Sequence, residues 1–190
     1  MPVQTVRQYI MQGLWTLLVL LAGISPWPAA AQGVELAALR TSGVDGALNL
    51  EFVARVDLPK AVEDALKHGV PVYFVAQAQL LRNRWYWRDE RVARVSRSWR
   101  LAFRPLTGDW RVSLGGLNQT YASMAEAMAA LSRSGGWKLA ELAQLDADKS
   151  YYVEFSYRLD SSQLPSPMQF GLGGQGDWAV GVARTLKVEP

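Results

Sequence analysis

The chain contains no cysteine and one histidine, His68. The first absence excludes disulfides, thiolate nucleophiles and cysteine-ligated zinc or iron–sulfur centres. The second excludes a metal site built from several imidazoles of one copy. No Gly-x-Ser-x-Gly nucleophile elbow occurs. Charge is sparse and almost balanced, 19% of residues with a net of +3, while 49% of the 190 residues are apolar. Such a chain is too apolar and too weakly charged to stay disordered, and its length suits a single domain. It also lacks an apolar run of the about 20 residues that a spanning helix needs.

The most apolar run, Leu14 to Ile24, is followed by Pro26, Pro28 and Ala29-Ala30-Ala31, and preceded by Arg7. That is the layout of a secretory signal peptide, 1–31. No twin arginine precedes the run and no cysteine follows Ala31. The expectation is therefore export by the general route and cleavage near Ala31, without lipid modification. The mature domain is then 32–190, with no transmembrane segment. Retention of the run as a signal anchor is the competing expectation.

In the mature chain, Leu48, Leu50, Phe52, Ala54 and Val56 alternate with mostly polar residues, as do Tyr151, Val153, Phe155, Tyr157 and Leu159. Period two is the mark of half-buried strands. Further strands are expected over Val34–Leu39, Val70–Leu81, Val92–Phe103, Trp110–Leu114 and within Trp178–Val188, and Trp137–Leu142 reads as strand or helix. Gly43-Val44-Asp45-Gly46 reads as a turn. One helix is expected after Pro59, ending at Lys67-His68-Gly69. A second begins at Ser123, where Ser123 and Glu126 form a capping-box pattern, and is expected to end at Ser134-Gly135-Gly136. Many short strands, two inserted helices and no sustained βαβ alternation predict a mainly β fold. The expected architecture is a single-domain antiparallel β-sandwich of immunoglobulin-like flavour. The sequence Asp146-Ala147-Asp148-Lys149-Ser150-Tyr151 is spaced for a tyrosine corner, in which the tyrosine hydroxyl bonds upstream backbone.

Charge is unevenly placed. Arg82, Arg84, Arg88, Arg91, Arg94, Arg97, Arg100 and Arg104 are opposed within their stretch only by Asp89 and Glu90. If 70–88 and 91–104 form a hairpin turning at Asp89-Glu90, Leu80 faces Trp99, Ala78 faces Leu101 and Ala76 faces Phe103. Arg82 then faces Arg97 and Trp85 faces Arg94. Like charges opposite one another are unfavourable in a ladder, and a patch that accepts them points to an anionic partner. Trp85, Tyr86 and Trp87 give it the arginine–aromatic composition of interface anchors. The plainer reading is edge protection, which explains charge but not one sign.

Other motifs carry less. His68 sits at a helix C-terminus, where a cationic ring is favoured by the dipole. Gly171-Leu172-Gly173-Gly174-Gln175-Gly176 matches a dinucleotide-loop pattern but follows Pro165 and Pro167 instead of a strand, so it reads as a loop. The acids Glu63-Asp64, Asp89-Glu90 and Asp146-x-Asp148 have plain roles in a helix, a turn and a loop. Asp146-Ala147-Asp148 lacks the glycine and terminal glutamate of a calcium loop. No cofactor, metal ligand or catalytic residue is assigned.

The segments Arg84-Trp85-Tyr86-Trp87-Arg88-Asp89-Glu90, Leu114-Gly115-Gly116-Leu117 and Leu159-Asp160-Ser161-Ser162-Gln163-Leu164-Pro165-Ser166-Pro167 resemble a secreted bacterial family catalogued as domain of unknown function 4390. The likeness runs from about Val34 to Trp178, and the tail Val182-Ala183-Arg184-Thr185-Leu186 departs from the family's tryptophan-rich ending. The resemblance implies a periplasmic protein of a Gram-negative bacterium, with no catalytic residues to carry over. It also implies a sensor kinase ectodomain as one candidate partner.

The expected function is that of a non-enzymatic envelope accessory domain. It would dock an acidic protein partner or an anionic membrane surface through Arg82, Arg84, Trp85, Trp87, Arg88, Arg91, Arg94 and Arg97. Nucleic acid is not expected as a partner of a secreted protein. The rivals are an envelope hydrolase acting on glycan or ester through acids such as Glu63 or Asp64, and a carbohydrate-binding module stacking sugars on Trp85 and Trp87.

Overall fold

The computed structural model describes residues 33–86, 88–164 and 178–188. These hold strands β1 (Val34–Val44), β2 (Ala47–Val56), β3 (Val72–Arg82), β4 (Glu90–Arg104), β5 (Asp109–Leu114), β6 (Leu117–Tyr121), β7 (Arg133–Glu141), β8 (Tyr151–Leu159) and β9 (Gly181–Val188). Helices α1 (Lys60–Lys67) and α2 (Met124–Leu131) lie between β2 and β3 and between β6 and β7. The strands form two antiparallel sheets, ordered β1-β2-β7 and β6-β5-β4-β3-β8-β9. The protein is thus mainly β, with two short helices, each in a crossover from one sheet to the other.

Alternation explains which face is buried. Leu48, Leu50, Phe52 and Ala54 of β2 turn inward against Phe74, Ala76, Ala78 and Leu80 of β3 and Val153, Phe155 and Tyr157 of β8. Phe52 is the joint between the sheets. Its ring lies 5.0 Å from that of Phe155, 5.4 Å from Tyr157 and 6.1 Å from Trp99. The Tyr157 hydroxyl is satisfied by the Leu131 carbonyl at 3.2 Å, so this buried polar atom leaves no orphan.

Local signals hold at several points. Asp45 and Gly46 both take positive φ, 52° and 72°, the geometry of the tight hairpin turn that Asp-Gly favours. Ser123 Oγ accepts the Glu126 amide, and the Glu126 carboxylate accepts the Ala122 amide, closing the cap of α2. The tyrosine corner is present: the Asp146 amide donates to the Tyr151 hydroxyl at 3.0 Å. Removing that hydroxyl by Tyr151→Phe is expected to cost about 1 kcal/mol in chemical denaturation, the usual net value of one hydrogen bond.

Two expectations are corrected and a third feature is new. First, the hairpin register differs: Leu80 faces Ala93, Ala78 faces Val95, Ala76 faces Arg97 and Arg82 faces Glu90. Trp99 and Leu101 lie instead opposite Phe74 and Val72, where the core is deepest. The connection spans 83–89 and is not a two-residue turn at Asp89-Glu90. Second, Ser134-Gly135-Gly136 does not end a helix. Helix α2 stops at Leu131, and these residues belong to β7. Third, Leu117–Tyr121 forms an edge strand, β6, on a stretch with no apolar alternation to announce it. Residues 1–31, expected to be a signal peptide, together with Trp87, Pro165–Pro167 and the glycine-rich stretch 171–176, lie outside the described residues.

Candidate functional site

Antiparallel pairing brings the β1–β2 turn, the 83–89 loop and the β7–β8 connection to one end of the sandwich. They are tied together there. The Asn83 amide donates to the Ser150 carbonyl at 3.1 Å, and the Leu142 amide to Gly46 at 2.8 Å. Tyr152 on β8 donates its hydroxyl to Asp89 at 2.5 Å, and the Arg84 amide donates to the same carboxylate at 3.1 Å. Glu90 accepts from both Arg82 and Arg84, and Arg82 also reaches Asp146 at 3.1 Å.

This end exposes what a folded chain ordinarily hides. Trp85 is 93% exposed and Tyr86 65%, their rings edge to face at 5.2 Å. Val44 and Leu142 are exposed at the same end. Arg88 in the loop and Arg91 and Arg94 on β4 are exposed as well. Arg91 and Arg94 pair in the ladder with Leu81 and Gln79, on the sheet face turned away from the core. Among the described residues, none of Arg88, Arg91 and Arg94 makes an ion pair.

The arginine cluster therefore divides by role. Arg82 and Arg84 share Glu90 and Arg82 also pairs with Asp146, and because the ladder sets Arg82 opposite Glu90 the expected Arg82–Arg97 repulsion is absent. Arg104 is paired with Asp109, bonding through Nε at 2.6 Å. Arg97 points the other way, onto the inner face of its sheet. It donates to the Ser134 hydroxyl and lies over the Trp137 ring at 5.1 Å. Trp85 also does not face Arg94, because it lies in the loop beyond the ladder. Sequence reasoning missed Ser134 and Trp137, although the paired glycines inside β7 were the available sign. Phe52 faces Ser134 and Leu50 faces Trp137, leaving Gly135 and Gly136 opposite one residue in a bulge.

The acids that hold the tip have shifted titrations. The Arg82 guanidinium, through its hydrogen bond, holds the Glu90 carboxyl below its ordinary 4.5. The Tyr152 hydroxyl, then the Arg84 amide, hold Asp89 below 3.8. The same Asp89 contact pushes Tyr152 up to about 12. A carboxylate whose folded value is depressed contributes fully above its unfolded value and loses that contribution as pH falls through the folded one. The tip contacts are thus complete at neutral pH and release in acid, below the ordinary carboxylate range. The Arg84 amide resonance is expected to titrate with its midpoint below 3.8, while core amides stay unmoved. A midpoint at or above that value would remove the Asp89 anchor.

His68 lies at the end of α1, its Nδ1 2.6 Å from the Asp64 carbonyl. Among the described residues no group of three potential ligands could hold a metal ion, and no helix is long and apolar enough to cross a membrane.

Fold and site together define a two-sheet antiparallel β-protein with an aromatic, arginine-flanked tip. The chain belongs to the domain of unknown function 4390 (DUF4390) family, whose model matches residues 31–187. No curated protein and no solved structure matches it.

Proposed function

We propose that this protein is a non-enzymatic accessory domain of the bacterial cell envelope that docks an anionic membrane surface. Its docking element is the 83–89 tip with Arg88, Arg91 and Arg94. The observation that carries this reading is the near-complete exposure of Trp85 beside Tyr86, on a loop pinned by Asp89 and Glu90. An amphipathic ring on a fixed tip can enter the headgroup region without first ordering a floppy loop. Arginines with no carboxylate partner among the described residues are free to meet phosphate oxygens, which their planar forks match. Export through the 1–31 signal sequence places such a tip next to a membrane.

Expression of the full chain in a Gram-negative host, followed by mass spectrometry, is expected to give a protein beginning at Gln32. An intact N-terminus would replace the cleaved signal with an anchor. The purified protein is then expected to sediment with vesicles containing an anionic phospholipid and not with neutral ones, and to release as salt rises. Trp85→Ala is expected to weaken this binding without changing the fold. Absence of sedimentation with both vesicle types would overturn the membrane reading. Salt-insensitive binding, or binding equal with Trp85→Ala, would overturn the role of the tip.

A further inference from the structure

A second surface stands apart from the tip. The six-stranded sheet is wider than the three-stranded sheet facing it, and β7 lies against β4, so the inner face of β5 and β6 extends past β7. Helix α2 packs against β5, β6 and β7, and between these elements lies a cleft of about 250 Å³. Trp99, Leu114 and Leu117 give it an apolar wall, and its polar side chains are Arg97, Gln119, Arg133 and Ser134.

The cleft is built by the bulge in β7. Gly136 takes φ 56°, a conformation that favours glycine. The extra residue shifts the alternation so that Ser134 and Trp137 are both buried. Ser134 then accepts from Arg97 and keeps its own proton to donate, while Trp137 supports the guanidinium from its face. Arg133 is steadied by the Ala129 carbonyl, which accepts from Nε at 2.9 Å and leaves the outer nitrogens free of that bond. Among the described residues, neither arginine has a carboxylate within ion-pair distance. The acid near the bulge, Glu51, lies 3.7 Å from where a Cβ on Gly135 would sit and is itself paired with Arg40.

A partly buried guanidinium on an inner sheet face, as Arg97 is, is costly without a counter-charge unless something anionic completes it, while Arg133 stands exposed at the edge of the cleft. Burial already lowers the pKa of Arg97. We propose that this cleft binds a small amphiphilic oxyanion, a carboxylate or phosphate bearing a short apolar group. Arg97, Arg133 and the Ser134 hydroxyl hold the head, and Trp99, Leu114 and Leu117 cover the tail. The size of the cleft, below the usual range for drug-sized ligands, limits the tail to a short one.

The test is calorimetric titration of the purified protein with octanoate, octyl phosphate, inorganic phosphate and octanol. Saturable one-to-one binding of octanoate or octyl phosphate is expected, and the stronger of the two identifies the head group. Octanol and inorganic phosphate are expected to bind more weakly by at least about tenfold, each lacking half of the recognition. Arg97→Gln is expected to weaken the preferred ligand about tenfold or more, and Arg133→Gln by a smaller factor. Arg55→Gln, on an exposed arginine paired with Glu35, is expected to change nothing. If Arg97→Gln fails to fold, Arg133→Gln carries the test. No saturable binding by either amphiphile up to about 10 mM, weaker than any built site, would overturn the proposal. So would unchanged affinity in the arginine variants, or inorganic phosphate binding as tightly as octyl phosphate.

Discussion

Reversing Arg88, Arg91 and Arg94 to glutamate is expected to abolish sedimentation with anionic vesicles while leaving the protein folded. Each basic side chain close to an anionic surface contributes about 1 kcal/mol, so losing three and adding repulsion lowers affinity by more than about 100-fold. Fold retention is expected because these side chains are exposed and unpaired among the described residues, and such surface substitutions stay within about 0.5 kcal/mol. Arg82 and Arg84 are the wrong choice for this experiment. Each is bound to Glu90, so reversing them would place three acids together and disturb the loop itself. A triple variant that folds and still sediments at low salt would show that the outer arginines do not make the contact.

Phe52→Ala is expected to destabilise the protein by about 3–5 kcal/mol, the usual cost of emptying a buried phenylalanine site. Phe52 is 1% exposed and touches rings on β4 and β8 of the opposite sheet. Rigid sheets cannot close fully over the missing ring, so a cavity term adds to the lost transfer energy. Against a typical total of 5–15 kcal/mol the loss is severe. Urea denaturation checks it, with the slope expected to hold and the midpoint to fall. Val53→Ala, one residue along at a side chain 43% exposed, is expected to change stability little. A loss below about 1 kcal/mol for Phe52→Ala would mean that the sheets do not depend on this joint.

Features whose cause lies within a few residues are legible in the sequence. The alternation of β2 and β8, the Asp45-Gly46 turn, the Ser123 cap and the Tyr151 corner each need only local chemistry. The clustering of arginines with Trp85 and Tyr86 was legible as well, because composition alone displays it. The edge strand β6 was hidden because Asn118, Gln119 and Thr120 make no apolar pattern. It exists because β5 offers it a ladder and the Gly115-Gly116 turn lets the chain reverse.

The sequence by itself determined a two-sided β pattern, its caps and turns, and a concentration of positive charge in one hairpin. Tertiary structure alone decided what each of those charges does. A strand's faces follow from period two, but pairing register depends on which apolar residues meet in the core. Seating Trp99 opposite Phe74 moved Glu90 against Arg82. The same choice put Arg97 inside, where a bulge in a strand distant in the chain supplies Ser134 and Trp137. Long-range packing thus took Arg82, Arg84 and Arg97 out of the expected docking set and left Arg88, Arg91 and Arg94 beside an exposed aromatic tip.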